Sequence, residues 1–555
     1  MAKARSQKAR KRTFYGNRYT TKKNTSLSTS ALLPGADTAS SSKLKINETF
    51  DEHDANFQPL KGNRIIDIQS LISIFSVLCC PECFTTGLTL IEDSKEGLCS
   101  NFSLVCNCGY MKGFTSTPKE NKKCSLNTLL PLGLRLIGRG FTAGKKLFIT
   151  LNLPYPSKST FRSHELRLLQ AVKLASEENM NTASEEVKKL KKDKTCGVSV
   201  DGTWQRRGYM SLNGCVSAIS IDTGKILDIA VMTQYCKMCE MNVARDDHLC
   251  ANYNGSSGNM ESFGAYRIFE RSVEKRGLQY TEYFGDGDSK AFLKVKDIYG
   301  KDTVTKLECI GHIQKRVGSR LRKLKKNTKG LGGKGKLTDK FIDKLQNYYG
   351  IAIRSNVGDL NNMQSAVIAA FFHCCSSNKN PMHGQCPEGP DSWCKYKKAL
   401  HDKKQFLENS PGLPDSVIKT IKPIYFELCD QNLLKKCLHG MTQNNNECFN
   451  NVLWSILPKE TFVEQKTLFL GAHIAVLLFN SGYLGLLPVF KSLEIEIDPL
   501  MLKNYMEVDK ERVAKSRRQS LPSTKIFRKK QKAKRKAKLV KNEVKEGLTY
   551  KYGEF

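Results

Sequence analysis

Val198 to Trp204 reads V-S-V-D-G-T-W. A short apolar run that ends on a carboxylate and then breaks at glycine predicts a strand that presents Asp201 near its end. Working outward, Asn213 to Ile221 and Lys225 to Thr233 are β-rich and are joined by Asp222-Thr223-Gly224, a hairpin signal. A helix over about 263–276 comes next, then a strand from Leu278 to Gly285 with Asp286 directly after it. Lys306 to Ile310 is a further short strand that leads into a basic helix from Gly311 to Lys325. Strand, strand, strand, helix, strand, helix is an α/β order. Carboxylates at the ends of neighbouring central strands converge in such a fold, which is what a metal site needs.

A third acidic residue stands far downstream. Glu447 lies in T-Q-N-N-N-E-C-F-N-N-V-L-W and precedes Trp454 by seven residues, so the two share one helix face. Widely spaced carboxylates suit a pocket for paired divalent metals, and hard cations such as Mg²⁺ or Mn²⁺ take oxygen ligands. The chain of 555 residues carries 89 Lys and Arg against 54 Asp and Glu, a formal net charge of +35. Such a surplus attracts polyanions, and the natural substrate for the pocket is a nucleic-acid phosphodiester.

The flanks are basic too. Residues 1–45 form a basic, then Ser/Thr-rich arm, and the cluster Lys3 to Arg12 reads as a nuclear-localisation or DNA-contacting segment. Residues 501–555 read as a basic tail, and both ends are expected to be disordered. The N-terminus has no apolar h-region and so is not a secretory signal. Residues 126–150 suggest two short apolar helices broken at Gly138 and Gly140, a DNA-binding segment or a plain hairpin, and a long charged helix, or two, runs over about 160–192. Leu468 to Phe490 is apolar but is interrupted by His473, Asn480, Ser481, Gly482 and Pro488, so it reads as a buried helix plus turn rather than a membrane span.

Twenty cysteines without a secretory signal point to metal-bound and free thiols. Cys80 and Cys83, with Cys106 and Cys108, fit a ribbon-type structural zinc within a module over 46–125, with Cys79 and Cys99 as spares. Cys236, Cys239, His248 and Cys250 form a second set of soft ligands. A looser third set is Cys375 (or Cys374), His383, Cys386 and Cys394, for which ordinary loop cysteines are the competing reading. Cys309 and His312 form a Cys-x2-His pair that by itself does not close a zinc site.

The motifs V-S-V-D-G-T-W-Q-R-R-G, Cys-x2-Cys…His-x-Cys, N-Y-N-G-S-S-G-N-M-E, D-G-D-S-K, C-I-G-H-I-Q-K-R, L-Q-N-Y-Y-G-I-A-I-R and N-N-N-E-C-F-N-N-V-L-W-S-I-L-P-K occur in this order. Together they resemble the Mutator-like transposases over about 80–490. The resemblance implies a DNA transposase with an RNase H-like catalytic core at 195–500, a mostly helical insertion at about 320–435, and Mg²⁺- or Mn²⁺-dependent strand cleavage and transfer. Its Asp-Asp-Glu triad would be Asp201, Asp286 and Glu447, with Asp288 as the alternative to Asp286, and Cys309 with His312 would shape the site. Cys448 departs from the small hydroxyl residue expected there. Lys315, Arg316, Arg320, Arg322, Lys323, Lys325 and Lys326 would contact phosphates, giving salt-sensitive affinity for double-stranded DNA. No neighbouring acidic residue in the sequence balances that run. A nuclear homo-oligomer on DNA, without membrane contact, is the expected setting. A domesticated non-catalytic DNA-binding protein and a cellular nuclease are the competing readings.

Overall fold

The computed structural model describes residues 62–120, 123–206, 211–244, 250–285, 290–390, 392–408 and 412–546. The arm at 1–45, Asp286, Asp288 and His248 therefore lie outside the described residues.

Helix α1 (Ile68–Val77) precedes an antiparallel sheet of β1 (Thr89–Glu96), β2 (Cys99–Val105) and β3 (Met111–Thr115) in that order. Two similar turns flank it: Cys80 N donates to Thr85 O (2.8 Å) and Cys106 N to Tyr110 O (2.9 Å). They bring the four thiols of the first set to one end of the sheet. Helices α2 (Ser125–Leu136) and α3 (Phe141–Thr150) form the hairpin expected around Gly138. Gly138 has φ +69°, and a Cβ there would collide with the Ser455 carbonyl, so both the turn and the close approach require glycine.

Helix α4 (Lys158–Lys191) is a single helix of 34 residues, capped by Ser157 Oγ accepting from Thr160 N at 3.1 Å. It leads into the central sheet of β4 (Thr195–Trp204), β5 (Asn213–Ser220), β6 (Ile226–Thr233), β7 (Gln279–Gly285) and β8 (Thr305–Glu308). The order is β8-β7-β4-β5-β6. The β4–β5 and β5–β6 pairs are antiparallel, whereas β4–β7 and β7–β8 are parallel. The meander β4-β5-β6 is closed by short turns. The parallel β7 lies on the other side of β4, so the chain must cross the sheet, and α5 (Met260–Glu270) lies in that crossover. Every residue of β5 and β6 is buried, as expected when helices cover both faces of a sheet.

Beyond β8, helices α6 (Ile310–Asn327), α7 (Asp339–Arg354), α8 (Leu360–Cys375) and α9 (Asp415–Phe426) bury a separate apolar core around Ile313, Leu345, Phe371 and Tyr425. The chain then returns to the sheet with α10 (Asn444–Ile456) and α11 (Gln465–Ser481), which pack with α4 around Leu168, Phe449 and Leu477. Helix α11 and the turn after it fill the stretch whose apolarity raised the question of a membrane span, and no helix among the described residues is long and apolar enough to cross one.

The C-terminal end corrects an expectation. Residues 499–546 are two helices, α12 (Pro499–Ser520) and α13 (Pro522–Glu546), rather than a disordered tail. Lys, Arg, Ala and Glu are good helix formers, and each helix begins on a proline that suits a first turn. Helix α12 is also docked: its buried Asp509 accepts from Tyr483 N at 2.8 Å, and Val513 is buried.

Candidate active site and metal centres

Strand alternation assigns the β4 side chains to two faces. Ser199, Asp201 and Thr203 meet α10: Asn446 bonds Ser199, Asn450 Nδ2 donates to Asp201 Oδ2 (2.8 Å), and Trp454 Nε1 donates to Thr203 Oγ1 (2.7 Å). Glu447, Asn450 and Trp454 are spaced three and four apart, so one stripe of α10 runs along β4 with Glu447 at its exposed end. Burial, reinforced by the Glu447 charge, raises the Asp201 carboxyl to about 6 despite the Asn450 hydrogen bond.

The opposite face of β4 brings in Glu261, a carboxylate to which sequence reasoning gave no role. It sits in the first turn of α5, and a Cβ on Gly202 would lie 3.0 Å from its Cγ and 3.1 Å from its Cβ. A larger residue after Asp201 would push the Glu261 side chain back, so glycine there suits the close approach of α5. Burial first, then the Asp201 charge, raises Glu261 to about 7. Neither Asp201 nor Glu261 has a cationic partner among the described residues. The only available signal was its place in N-Y-N-G-S-S-G-N-M-E, a motif that carried the resemblance without an assigned chemistry.

His312, in the first turn of α6, is pushed below its ordinary value by burial and Lys315, while the Glu447 charge pulls it upward. It therefore lies within electrostatic reach of Glu447. Cys309 is buried at the α6 N-cap and belongs to no metal-ligand group among the described residues. Asp201 and Glu447 approach each other on the α10 face of β4 and Glu261 packs on its other face; the three are not a close ligand group among the described residues, but carboxylate oxygens are the donors a divalent cation of the Mg²⁺ type takes.

Three soft-ligand groups are assembled elsewhere. Cys80, Cys83, Cys106 and Cys108 converge, with Cys80 Sγ 3.6 Å from Cys108 Sγ and Cys83 Sγ 3.5 Å from Cys106 Sγ. Hydrogen bonding with Thr85 lowers the Cys83 thiol to about 6, toward the thiolate that a metal binds. Cys236, Cys239 and Cys250 form the second group, and its fourth expected ligand, His248, is outside the described residues. In the third group the fourth position belongs to His373 and not to Cys375. Residues 373, 374 and 375 are about 100° apart around α8. His373 turns toward His383, while Cys374 and Cys375 are buried in the helical core.

The basic helix also needs correction. Four of its seven named cations meet acids from elsewhere in the fold: Arg316 with Glu308 (3.3 Å), Arg320 with Glu427 (2.8 Å), Lys325 with Asp339 (3.2 Å), and Arg322 with Asp343. Lys315, Lys323 and Lys326 are exposed and make no ion pair among the described residues.

A family model for the Mutator-like transposases matches residues 62–394. The match contains Asp201, Glu261 and the three soft-ligand groups and ends before Glu447. A search of curated proteins finds no match to the chain.

Proposed function

The chain belongs to the Mutator-like transposase family, and on that premise we propose that it cleaves DNA strands at transposon ends and joins the freed 3′ hydroxyl to target DNA. The observation that carries the reading is the approach of Asp201 and Glu447, 246 residues apart in sequence, to within electrostatic reach of each other where α10 packs on β4. The triad is Asp201, Asp286 (with Asp288 as its alternative) and Glu447, on an RNase H-like core. The central position of β4 in a mixed sheet covered by helices on both faces supports that assignment.

Asp201 and Glu447, with Asp286, would hold Mg²⁺ or Mn²⁺. Such ions, when bound, lower the pKa of a water or hydroxyl and neutralise charge on the leaving oxygen. Asn450 fixes Asp201 through one oxygen and leaves the other for a ligand. Trp454 bonded to Thr203 holds the register of α10 along β4, and so holds Glu447 beside the 199–201 stretch. Glu261, raised to about 7 by burial and the Asp201 charge, adds a carboxyl that carries a proton part of the time near neutral pH. Lys315, Lys323 and Lys326 supply unpaired charge for phosphates, and the surface ion pairs of Arg316, Arg320, Arg322 and Lys325 are weak enough to exchange for phosphate contacts. Zinc in the first soft-ligand group would be structural, because its four thiols leave no open position, and His248 would close the second group in the same way. Action on DNA implies a nuclear protein that works as a homo-oligomer on its element ends.

The test is strand cleavage and transfer on DNA carrying the element ends with Mg²⁺. Asp201→Asn and Glu447→Gln are expected to abolish both steps while leaving DNA binding within about threefold of wild type. Equal processing by all three proteins would sink the catalytic assignment. Binding without processing by wild type would favour a domesticated DNA-binding protein, and cleavage without joining a nuclease.

A further inference from the structure

Helix α8 ends beside a loop, 376–394, whose ends are held by more than hydrophobic contact. His373 Nδ1 lies 3.3 Å from His383 Nδ1 and 3.7 Å from Cys386 Sγ. His383 Nδ1 lies 3.9 Å from Cys386 Sγ and 3.5 Å from Cys394 Sγ. All four donor atoms fall within 4.8 Å of one another. A tetrahedron with zinc–nitrogen bonds of about 2.0–2.1 Å and zinc–sulfur bonds of about 2.3 Å has nitrogen–nitrogen edges of about 3.3–3.4 Å and nitrogen–sulfur edges of about 3.6 Å. The spacing of the group matches those edges, which apolar packing has no reason to produce.

The surroundings orient the imidazoles. On its other side His383 Nε2 meets Glu408 Oε2 at 3.0 Å and Ser376 Oγ at 2.9 Å, and Ser376 Oγ also donates to Glu408 at 2.8 Å. A ring that gives Nε2–H to a carboxylate keeps its Nδ1 lone pair free for a metal. Tyr396 stacks on His383 with centroids 4.5 Å apart and planes at 16°, and Tyr348 of α7 stacks on His373 at 5.6 Å. His383, Cys386 and Cys394 are buried.

We propose that His373, His383, Cys386 and Cys394 form a closed zinc site, with Glu408 as its positioning carboxylate. The ion would tie the 376–408 segment to α8. With two nitrogen and two sulfur ligands and no open position, the site is structural. It stands independently of the catalytic reading, which uses none of these residues.

The test is zinc content of the zinc-replete full-length chain by elemental analysis, with visible spectra after Co²⁺ replacement. His373→Ala and Cys394→Ser should each hold one zinc fewer than wild type, and Cys375→Ser should hold the same number. His373→Cys restores a ligand, so it should keep the full count and give a Co²⁺ spectrum with stronger sulfur charge-transfer absorption. Glu408→Gln should weaken zinc retention against a chelator by about 10- to 100-fold. An unchanged count in Cys394→Ser, a lost zinc in Cys375→Ser, or a wild-type Co²⁺ spectrum in His373→Cys would each overturn the proposal. If the alanine variant fails to fold, the His373→Cys spectrum decides alone.

Discussion

Asp201 and Asp228 both interrupt apolar strands of the same sheet, yet their surroundings give them opposite roles. Asp228 is buried and held by Arg271 through two hydrogen bonds of 2.7 and 2.8 Å, with Arg276 at 3.6 Å. Asp201 has no cationic partner among the described residues and meets two other carboxylates electrostatically. A buried acid that already has its counter-charge is structural, and one without it is available to a metal. Asp228→Ala should therefore cost up to about 3–5 kcal/mol, read from urea unfolding, because it removes the buried carboxylate that holds the half-buried Arg271, while Arg276 keeps Glu177. Asp201→Asn removes a charge that burial disfavours, so its unfolding midpoint at pH 8 without metal should equal or exceed wild type. Gly202→Ala puts a methyl group against Glu261 and should lower strand cleavage at least tenfold, with an overpacking cost of about 1–3 kcal/mol. Asp201 was legible in the sequence because a carboxylate followed by glycine ends its apolar run. Glu261 was not, because its partner is a glycine 59 residues away that has no side chain to reveal the contact.

Among the elements, α11 shows how burial fixes protonation. His473 is buried against α4, where it meets Ser176, and burial pushes it down to about 4. Its folded value is below the ordinary 6.5, so the folded state takes up its proton less readily than the unfolded chain. The contribution is whole above about pH 6.5 and is lost as pH falls toward 4, on the order of 3 kcal/mol. Urea midpoints at pH 7.5 and 4.5 should show the loss, and His473→Gln should flatten it. Helix α6 carries the prediction for DNA. Replacing Lys315, Lys323 and Lys326 together by alanine should reduce the slope of log affinity against log salt by about 3. Replacing Arg320 and Arg322 should change it less, because Glu427 and Asp343 already compete for their charge. The helix itself was legible from its pattern, whereas its balancing acids were not. Asp339 and Asp343 sit on α7, and Glu427 lies about a hundred residues away.

In the whole molecule, metal of two chemical classes is expected at separate places: hard cations at the end of β4 and zinc at the thiol groups. Leaving Mg²⁺ out of the reaction should therefore stop strand cleavage without moving the thermal midpoint, whereas removal of zinc by a strong chelator should lower that midpoint. Calorimetry with and without Mg²⁺, and before and after zinc removal, distinguishes the two. The sequence by itself determined the strand order through its apolar runs and turn signals, the charge that selects a polyanion, and the first thiol group, because these are carried by local spacing. It also determined the family, because an ordered series of motifs is a property of the chain alone. Only the tertiary structure decided that His373 rather than Cys375 completes the third group, that Glu261 packs beside Gly202, that Asp228 is a paired core acid, and that α12, ahead of the exposed basic run, is docked through Asp509 and Val513. In each case the deciding contact joins residues on different elements, or turns on which side of a helix a residue occupies relative to a neighbour. Such contacts are set by packing, and spacing along the chain does not encode them.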